Sequence, residues 1–258
     1  MATYRGKGYS RSCQIKPLTS IHTMSVVVHQ YETRNNPAFH QMMHVNKQYC
    51  QRQGYIYNNV TTNYDLTPYW VKIVLLRKTL QRPNVAYVAW FDSDSAVYDM
   101  DRKIESFFTG NTEFVISYDA HSYPDAKIAN AGVFFIKNTP SMRKLMDEWW
   151  ATYNPTRWIR KNGNWECMGP WEGPDYEQGT FNSIIMPKYS TIRCLHPSVL
   201  CCHNIIPPAG TFASHFNGLS NKQYTIYPYL LARRMPELLL LLAVGTGVAW
   251  YIKNRKLH

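Results

Sequence analysis

The chain has 258 residues, 28 Lys and Arg against 17 Asp and Glu, a net charge of +11, and an aromatic content of 14%. That length buries one substantial core, as a large single domain or a closely fused pair, and the aromatic content excludes a disordered chain. A basic surface suits a nucleotide-linked substrate, anionic lipid or nucleic acid. No Arg/Lys-rich run, zinc-finger spacing or RNA-binding signature accompanies the charge, so nucleic acid is not an expected partner.

The six cysteines (Cys13, Cys50, Cys167, Cys194, Cys201, Cys202) lack Cys-x-x-Cys spacing. They are read as free thiols rather than a zinc site. Residues 1–20 form a basic, polar segment with no apolar stretch of a secretory signal. Residues 21–230 carry the alternation of a folded domain.

In chain order, Met24 to His29 reads as the first strand. Pro37 to Gln53 reads as a helix ending at Gly54, the residue type that tolerates a left-handed C-terminus. A short strand Tyr55–Tyr57 and a helix Tyr69–Leu80 follow, closed by Arg82-Pro83-Asn84. The apolar run from Tyr87 is a strand ending in Asp92-Ser93-Asp94. Glu113–Tyr118 and Gly132–Lys137 are two further strands. Thr139-Pro140 supplies an N-cap and first-turn proline for a helix through Trp150. Asn154–Gly173, rich in Trp, Gly and Asn, reads as a long loop, and Asp175–Met186 as a helix. The alternation predicts an α/β domain with a mixed, mostly parallel sheet flanked by helices.

Leu238 to Ile252 is uncharged, with Arg233 and Arg234 before it and Lys253, Arg255 and Lys256 after it. As a helix it reaches about 22 Å, and Met235–Glu237 with snorkelling flanks brings it close to a ~30 Å hydrocarbon core. Trp250 and Tyr251 lie where an interfacial aromatic belt would. A C-terminal single-pass transmembrane helix over 235–253 is the expectation, with the preceding domain on the cytosolic face. A buried core helix is the alternative.

If the run before Asp92 is a buried strand, alternation sends Asp92 and Asp94 to the same side of its C-terminal edge. Ligands of α/β sheets gather at that edge, and paired carboxylates there suit a hard divalent cation holding phosphate oxygens. Asp-x-Asp also arises in solvated loops, so the surroundings decide.

Trp70-Val-Lys72 leads to Trp90-Phe-Asp92-Ser-Asp94-Ser-Ala96. Asn130-Ala-Gly132-Val-Phe-Phe-Ile-Lys-Asn138, Glu177-Gln178 and Ser214-His215-Phe-Asn-Gly218 follow in order. This order resembles glycosyltransferase family 34, the galactosyl-, mannosyl- and xylosyltransferases with the GT-A (nucleotide-diphospho-sugar transferase) fold, over Val26 to Lys222. Ser95 intervenes before the alanine, and Glu177 stands where that family has Asp. The resemblance implies a metal-dependent transferase moving a hexose or pentose from a UDP- or GDP-linked sugar to a glycan or other hydroxyl acceptor, with retention. It implies Asp92, Asp94 and His215 as ligands of Mn2+ or Mg2+, and Glu177 and Gln178 at the donor sugar as catalytic residues. Lys72, Asn130, Gly132 and Lys222 are implied in donor or substrate binding, the two lysines at the diphosphate. Familiar Golgi members of that family carry an N-terminal anchor, whereas the apolar run here lies at the other end.

Plainer readings stand beside these. Asp175 and Gln178 have capping-box spacing, His215 suits a structural histidine, and Gly132 eases a strand past its neighbour or lets a ligand approach the backbone. Among Trp149, Trp150, Trp158, Trp165 and Trp171, most are core and one or two are a platform for an acceptor sugar. Asp119 and His121 are further sheet-edge candidates. The rival functions are a catalytically inactive membrane-anchored sugar-binding or structural protein of the same fold, and a haloacid-dehalogenase-type phosphatase. The phosphatase expects Thr or Val where Ala96 stands.

Overall fold

The computed structural model describes residues 24–217, 222 and 225–233. Strand β1 (Ser25–Tyr31) leads into α1 (Pro37–Gln53). The side chain of Asn36 accepts from the Ala38 N–H at the start of α1, and Gly54, at φ 72°, ends it. Then come β2 (Ile56–Val60), α2 (Pro68–Leu80), β3 (Val85–Phe91), β4 (Ser95–Val97), β5 (Phe114–Tyr118) and β6 (Ala129–Lys137). Thr139 Oγ1 caps α3 (Pro140–Ala151) by accepting from the Met142 N–H. Strands β7 (Trp158–Lys161) and β8 (Asn164–Cys167) precede α4 (Glu177–Thr180), which runs on through a π turn at Phe181–Ile185. Strands β9 (Ile192–Leu195), β10 (Cys201–Cys202) and β11 (Ala213–His215) follow, and residues 225–233 are helical.

The main sheet has the order β2-β1-β3-β6-β5-β9. The β1/β2, β1/β3 and β5/β9 pairings are parallel, while β6 runs antiparallel to both β3 and β5. Side-chain alternation divides the core. Val27, Val88, Trp90, Phe114, Ile116, Phe134 and Ile136 face α2 and α3 with Trp70, Leu76, Leu145 and Trp149. Val26, Val28, Ala89, Phe91, Val115, Val133 and Phe135 face the other way, onto Tyr49 of α1, Phe107, Leu200 and Phe212. The mixed α/β sheet expected from the sequence is therefore present, with β6 as its reversed member.

Two elements differ from the sequence reading. The stretch expected as a loop over Asn154–Gly173 contains the antiparallel β7–β8 hairpin, whose turn residues Asn162 and Gly163 have φ of 52° and 78°. Positive φ at both positions matches the right-handed strand twist, which is why Asn-Gly favours such turns. The helix expected from Asp175 starts at Glu177. Asp175 is no cap, because its carboxylate is taken by Arg157 Nε at 3.1 Å. The expected transmembrane segment, residues 235–253, lies outside the described residues. Among those described, no helix is long and apolar enough to cross a membrane. The described cysteines, from Cys50 to Cys202, are free thiols.

His29, 1% exposed on β1, ties three elements together. Thr79 Oγ1 donates to Leu75 O, so it accepts from His29 Nε2 at 2.9 Å, leaving Nδ1 to accept from Asn58 Nδ2 at 2.9 Å. A second ring proton would point at the Asn58 amide hydrogens. Burial first, and the Arg82 charge second, push the His29 pKa down to about 4 from 6.5. The unfolded chain binds the extra proton between these values, so stability is retained above pH 6.5 and falls as pH drops towards 4. Urea titrations across this window are expected to lose on the order of 3 kcal/mol through this residue. His29→Gln should flatten the slope; an unchanged slope would reject the assignment.

Candidate active site at the carboxyl edge of the sheet

Strand β3 ends at Phe91 and the chain turns at once, Ser95 N–H donating to Asp92 O at 3.0 Å. Asp94 therefore sits in a turn, not on a continuing strand. Strand alternation does not bring the two carboxylates together. The turn does, and it feeds β4, which pairs antiparallel with β11 so that Ser95 lies opposite His215. Asn46 of α1 holds the β4 backbone, donating to Ser95 O at 2.9 Å and accepting from Val97 N–H at 2.8 Å. His215 Nε2 then lies 3.3 Å from Asp94 Oδ1 and 3.7 Å from Asp92 Oδ2. One ligand atom from each of Asp92, Asp94 and His215 falls within 4.8 Å of the others. Two carboxylate oxygens and one imidazole nitrogen fit a divalent cation such as Mn2+.

Asp92 and His215 are held from behind. Trp90 is two residues before Asp92, and its indole N–H donates to Asp92 Oδ1 at 2.7 Å. His203 Nδ1 donates to the backbone carbonyl of His215. Burial, followed by the neighbouring His215 and His121, pushes the His203 pKa down to about 4, keeping the ring neutral near pH 7. Gly132 of β6 is the cradle for His215: a Cβ there would lie 2.0 Å from Cε1 of the ring. Its missing side chain makes room for the imidazole, rather than for a ligand at the backbone or for a neighbouring strand.

Lys72 is buried, and its ammonium contacts three acceptors: Glu177 Oε1 at 2.9 Å, Ala131 O at 3.0 Å and Asp92 Oδ1 at 3.1 Å. Its three hydrogens are thereby used. Burial alone would lower its pKa, but the Asp92 and Glu177 charges outweigh it and hold the lysine protonated. Burial pushes the Glu177 pKa up, and Lys72 partly offsets this. The expected diphosphate contact of Lys72 gives way to a role as counter-ion to both carboxylates. Lys222 is different: its partly exposed ammonium pairs with Asp94 Oδ2. Burial works against ionising Asp94, but His215 and Lys222 outweigh it and hold the carboxyl well below the usual range.

Beside these groups lies a cavity of about 550 Å³ whose lining includes Asp92, Asp94, Asn130, Glu177, Gln178, His215 and Lys222. Gln178 Oε1 accepts from Ala131 N–H at 2.8 Å. Among the described residues, Glu177 Oε2 and Gln178 Nε2 are buried with no hydrogen-bond partner. Asn130, expected to bond sugar hydroxyls, spends its side chain locally, donating to Asp119 Oδ2 at 2.8 Å and accepting from Gly132 N–H at 2.9 Å. Asp119 is thus a support for β6, and His121 stacks on His203 with ring centres 4.0 Å apart. Trp149 is core and donates from its indole to Glu177 O, whereas Trp165 and Trp171 line the cavity. Arg34 also lines it, forked on Glu32 at 2.8 and 2.6 Å and packed over Phe39. No sequence signal pointed to Arg34.

Gly132→Ala is expected to displace the His215 ring and weaken Mn2+ binding by about tenfold or more, read by calorimetry with the thermal unfolding curve as control. Unaltered Mn2+ affinity would show that the ring has another route to its position. Lys72→Met leaves two carboxylates without their counter-ion and should cost about 3–5 kcal/mol in urea unfolding. Adding Glu177→Gln should recover part of the loss; if nothing is recovered, the two residues are not energetically coupled.

A family profile described as the galactosyl transferase GMA12/MNN10 family matches residues 20–116. Galactomannan galactosyltransferase 1 of Cyamopsis tetragonoloba is 32% identical over 154 residues, 54% of this chain and 31% of its own length. Xyloglucan 6-xylosyltransferase 4 of Arabidopsis thaliana is 30% identical over 122 residues, 43% of this chain and 23% of its own length. The chain thus spans less than a third of these relatives. A solved structure, of a glycosyltransferase involved in the glycosylation of the major capsid of PBCV-1, superposes with a TM-score of 0.63 at 16% identity. It covers 80% of this chain and 99% of that one, a likeness of fold. By the profile match and these relatives, the first half of the chain is similar to the galactosyl transferase GMA12/MNN10 family, glycosyltransferase family 34.

Proposed function

We propose that this chain transfers a hexose or pentose from a nucleotide-linked donor to a hydroxyl of a glycan, with retention of anomeric configuration. The observation that carries the reading is the convergence of Asp92, Asp94 and His215 on one point beside the cavity. Similarity to a transferase family, with a galactosyl- and a xylosyltransferase among the relatives, supports it.

In this reading the bond between the sugar's anomeric carbon and the diphosphate oxygen breaks, and the acceptor oxygen bonds to that carbon. The acceptor's proton passes to the departing diphosphate, so no charge is left on the product sugar. Asp92, Asp94 and His215 would hold a divalent cation, which when bound supplies positive charge against the diphosphate. Lys222, at the same edge, adds a second positive charge. Lys72, the counter-ion shared by Asp92 and Glu177, holds the two carboxylates side by side. Glu177 Oε2 and Gln178 Nε2 offer one acceptor and one donor, the pair needed to fix a sugar hydroxyl. Both atoms are buried without partners among the described residues, and burying an unpaired polar group costs free energy unless a ligand repays it.

The test is release of nucleoside diphosphate from a panel of UDP- and GDP-sugars in the presence of Mn2+. Asp92→Asn and Asp94→Asn are each expected to lower the rate by at least about 100-fold. Release that survives both substitutions, or chelation of the metal, would reject the assignment. A folded wild-type chain that turns over no donor would favour the inactive, sugar-binding reading.

A further inference from the structure

The loop between β8 and α4 builds a feature that the donor chemistry does not use. Trp171 is 61% exposed, an unusual position for an indole, yet it lines the cavity. It packs against Tyr69 and Tyr176 in edge-type contacts, with ring centres 5.5 and 5.0 Å away. The next residue, Glu172, also lines the cavity and has φ 57°, a left-handed conformation costly for a residue with a Cβ.

The loop is fixed in this strained form. Gly173 N–H donates to Pro170 O at 3.0 Å, and Tyr176 N–H to Gly173 O at 3.0 Å. Gly179 lets the loop lie directly on the helical segment: a Cβ there would be 2.0 Å from Gly173 O and 2.5 Å from Glu172 O. Gly169 similarly admits Asp175 Oδ2, which is in turn held by Arg157. Two glycines and an ion pair thus hold one exposed indole and one carboxylate together at the cavity rim. Across the hairpin, Trp165 also reaches the cavity, but Arg160 covers its ring at 4.7 Å. Trp171 is the indole left open.

The geometry points to Trp171 and Glu172 as the subsite for the acceptor, a neutral pyranose oligosaccharide. A pyranose presents C–H groups on one face and hydroxyls around its edge. The electron-rich indole face takes the first, and the carboxylate accepts hydrogen bonds from the second. Buried Glu177 and Gln178 suit a sugar enclosed before reaction, whereas the exposed pair meets a ligand arriving from solvent. This inference rests on the transferase reading for its function, but its binding step can be tested apart from it.

Cellohexaose and mannohexaose are titrated into the full chain with the metal chelated and no donor, read by saturation-transfer NMR and tryptophan fluorescence. At least one hexaose is expected to bind. Trp171→Ala should weaken that binding by about tenfold or more, Glu172→Gln should weaken it to a smaller extent, and Trp171→Phe should restore most of it. Binding by neither hexaose, or wild-type affinity in Trp171→Ala, would overturn the subsite. In turnover assays the Trp171→Ala loss should fall on acceptor KM more than on donor KM; a loss confined to donor KM would instead assign the loop to the donor. If donor turnover fails but hexaose binding depends on Trp171, the subsite stands and the transferase reading falls.

Discussion

One buried ammonium ties the site together. Lys72 comes from α2, Asp92 from the end of β3, Ala131 from β6 and Glu177 from the start of α4. Pulling any one of these elements away would leave charge in a region from which water is excluded. A lysine in water would gain little from such pairs, because exposed ion pairs are screened. Here the ammonium is buried and fully ligated, so its value lies in specifying where four elements meet. The carboxylate that it fixes on one side belongs to the candidate cation site, and on the other side to the cavity lining.

Local signals made much of the frame legible. Asn36-Pro37 and Gly54 carry the physics of a helix start and stop, and α1 has those bounds. Thr139-Pro140 did the same for α3. The Asp pair was legible as a candidate cation site, although for an incomplete reason. Alternation aligns Trp90 with Asp92, whereas Asp94 reaches the site through a turn that no periodicity encodes. Strands β4 and β11 have three residues each, too short for an alternating pattern, yet their pairing brings His215 to the aspartates. The β7–β8 hairpin had a readable Asn-Gly turn, but its strands mix charged and aromatic residues without a clear apolar face. The partners of Lys72 and Arg34 are tertiary facts, and single residues on α2 or after β1 give no hint of them.

The family match over residues 20–116 includes Asp92 and Asp94 but ends before His215, Glu177 and Gln178. The second half of the site therefore rests on geometry: β6 brings Gly132 beside Asp92, whose N–H donates to Gly132 O at 2.7 Å, and β11 aligns on β4. Aromatic packing stabilises this half. Trp149, Phe114, Phe134 and Phe181 form one continuous cluster under α4, and Tyr69, Trp158 and Tyr176 form another beside the rim.

The cradle that Gly132 makes for His215 has an evolutionary corollary. Two positions far apart in the chain share one volume, so neither can drift alone. A sequence that gains a side chain at position 132 must first shrink or lose the imidazole at 215, and a sequence that loses the imidazole frees position 132 to vary. Joint substitution at these two sites in descendants of this chain would record, without any assay, the lineages in which this candidate cation site was given up.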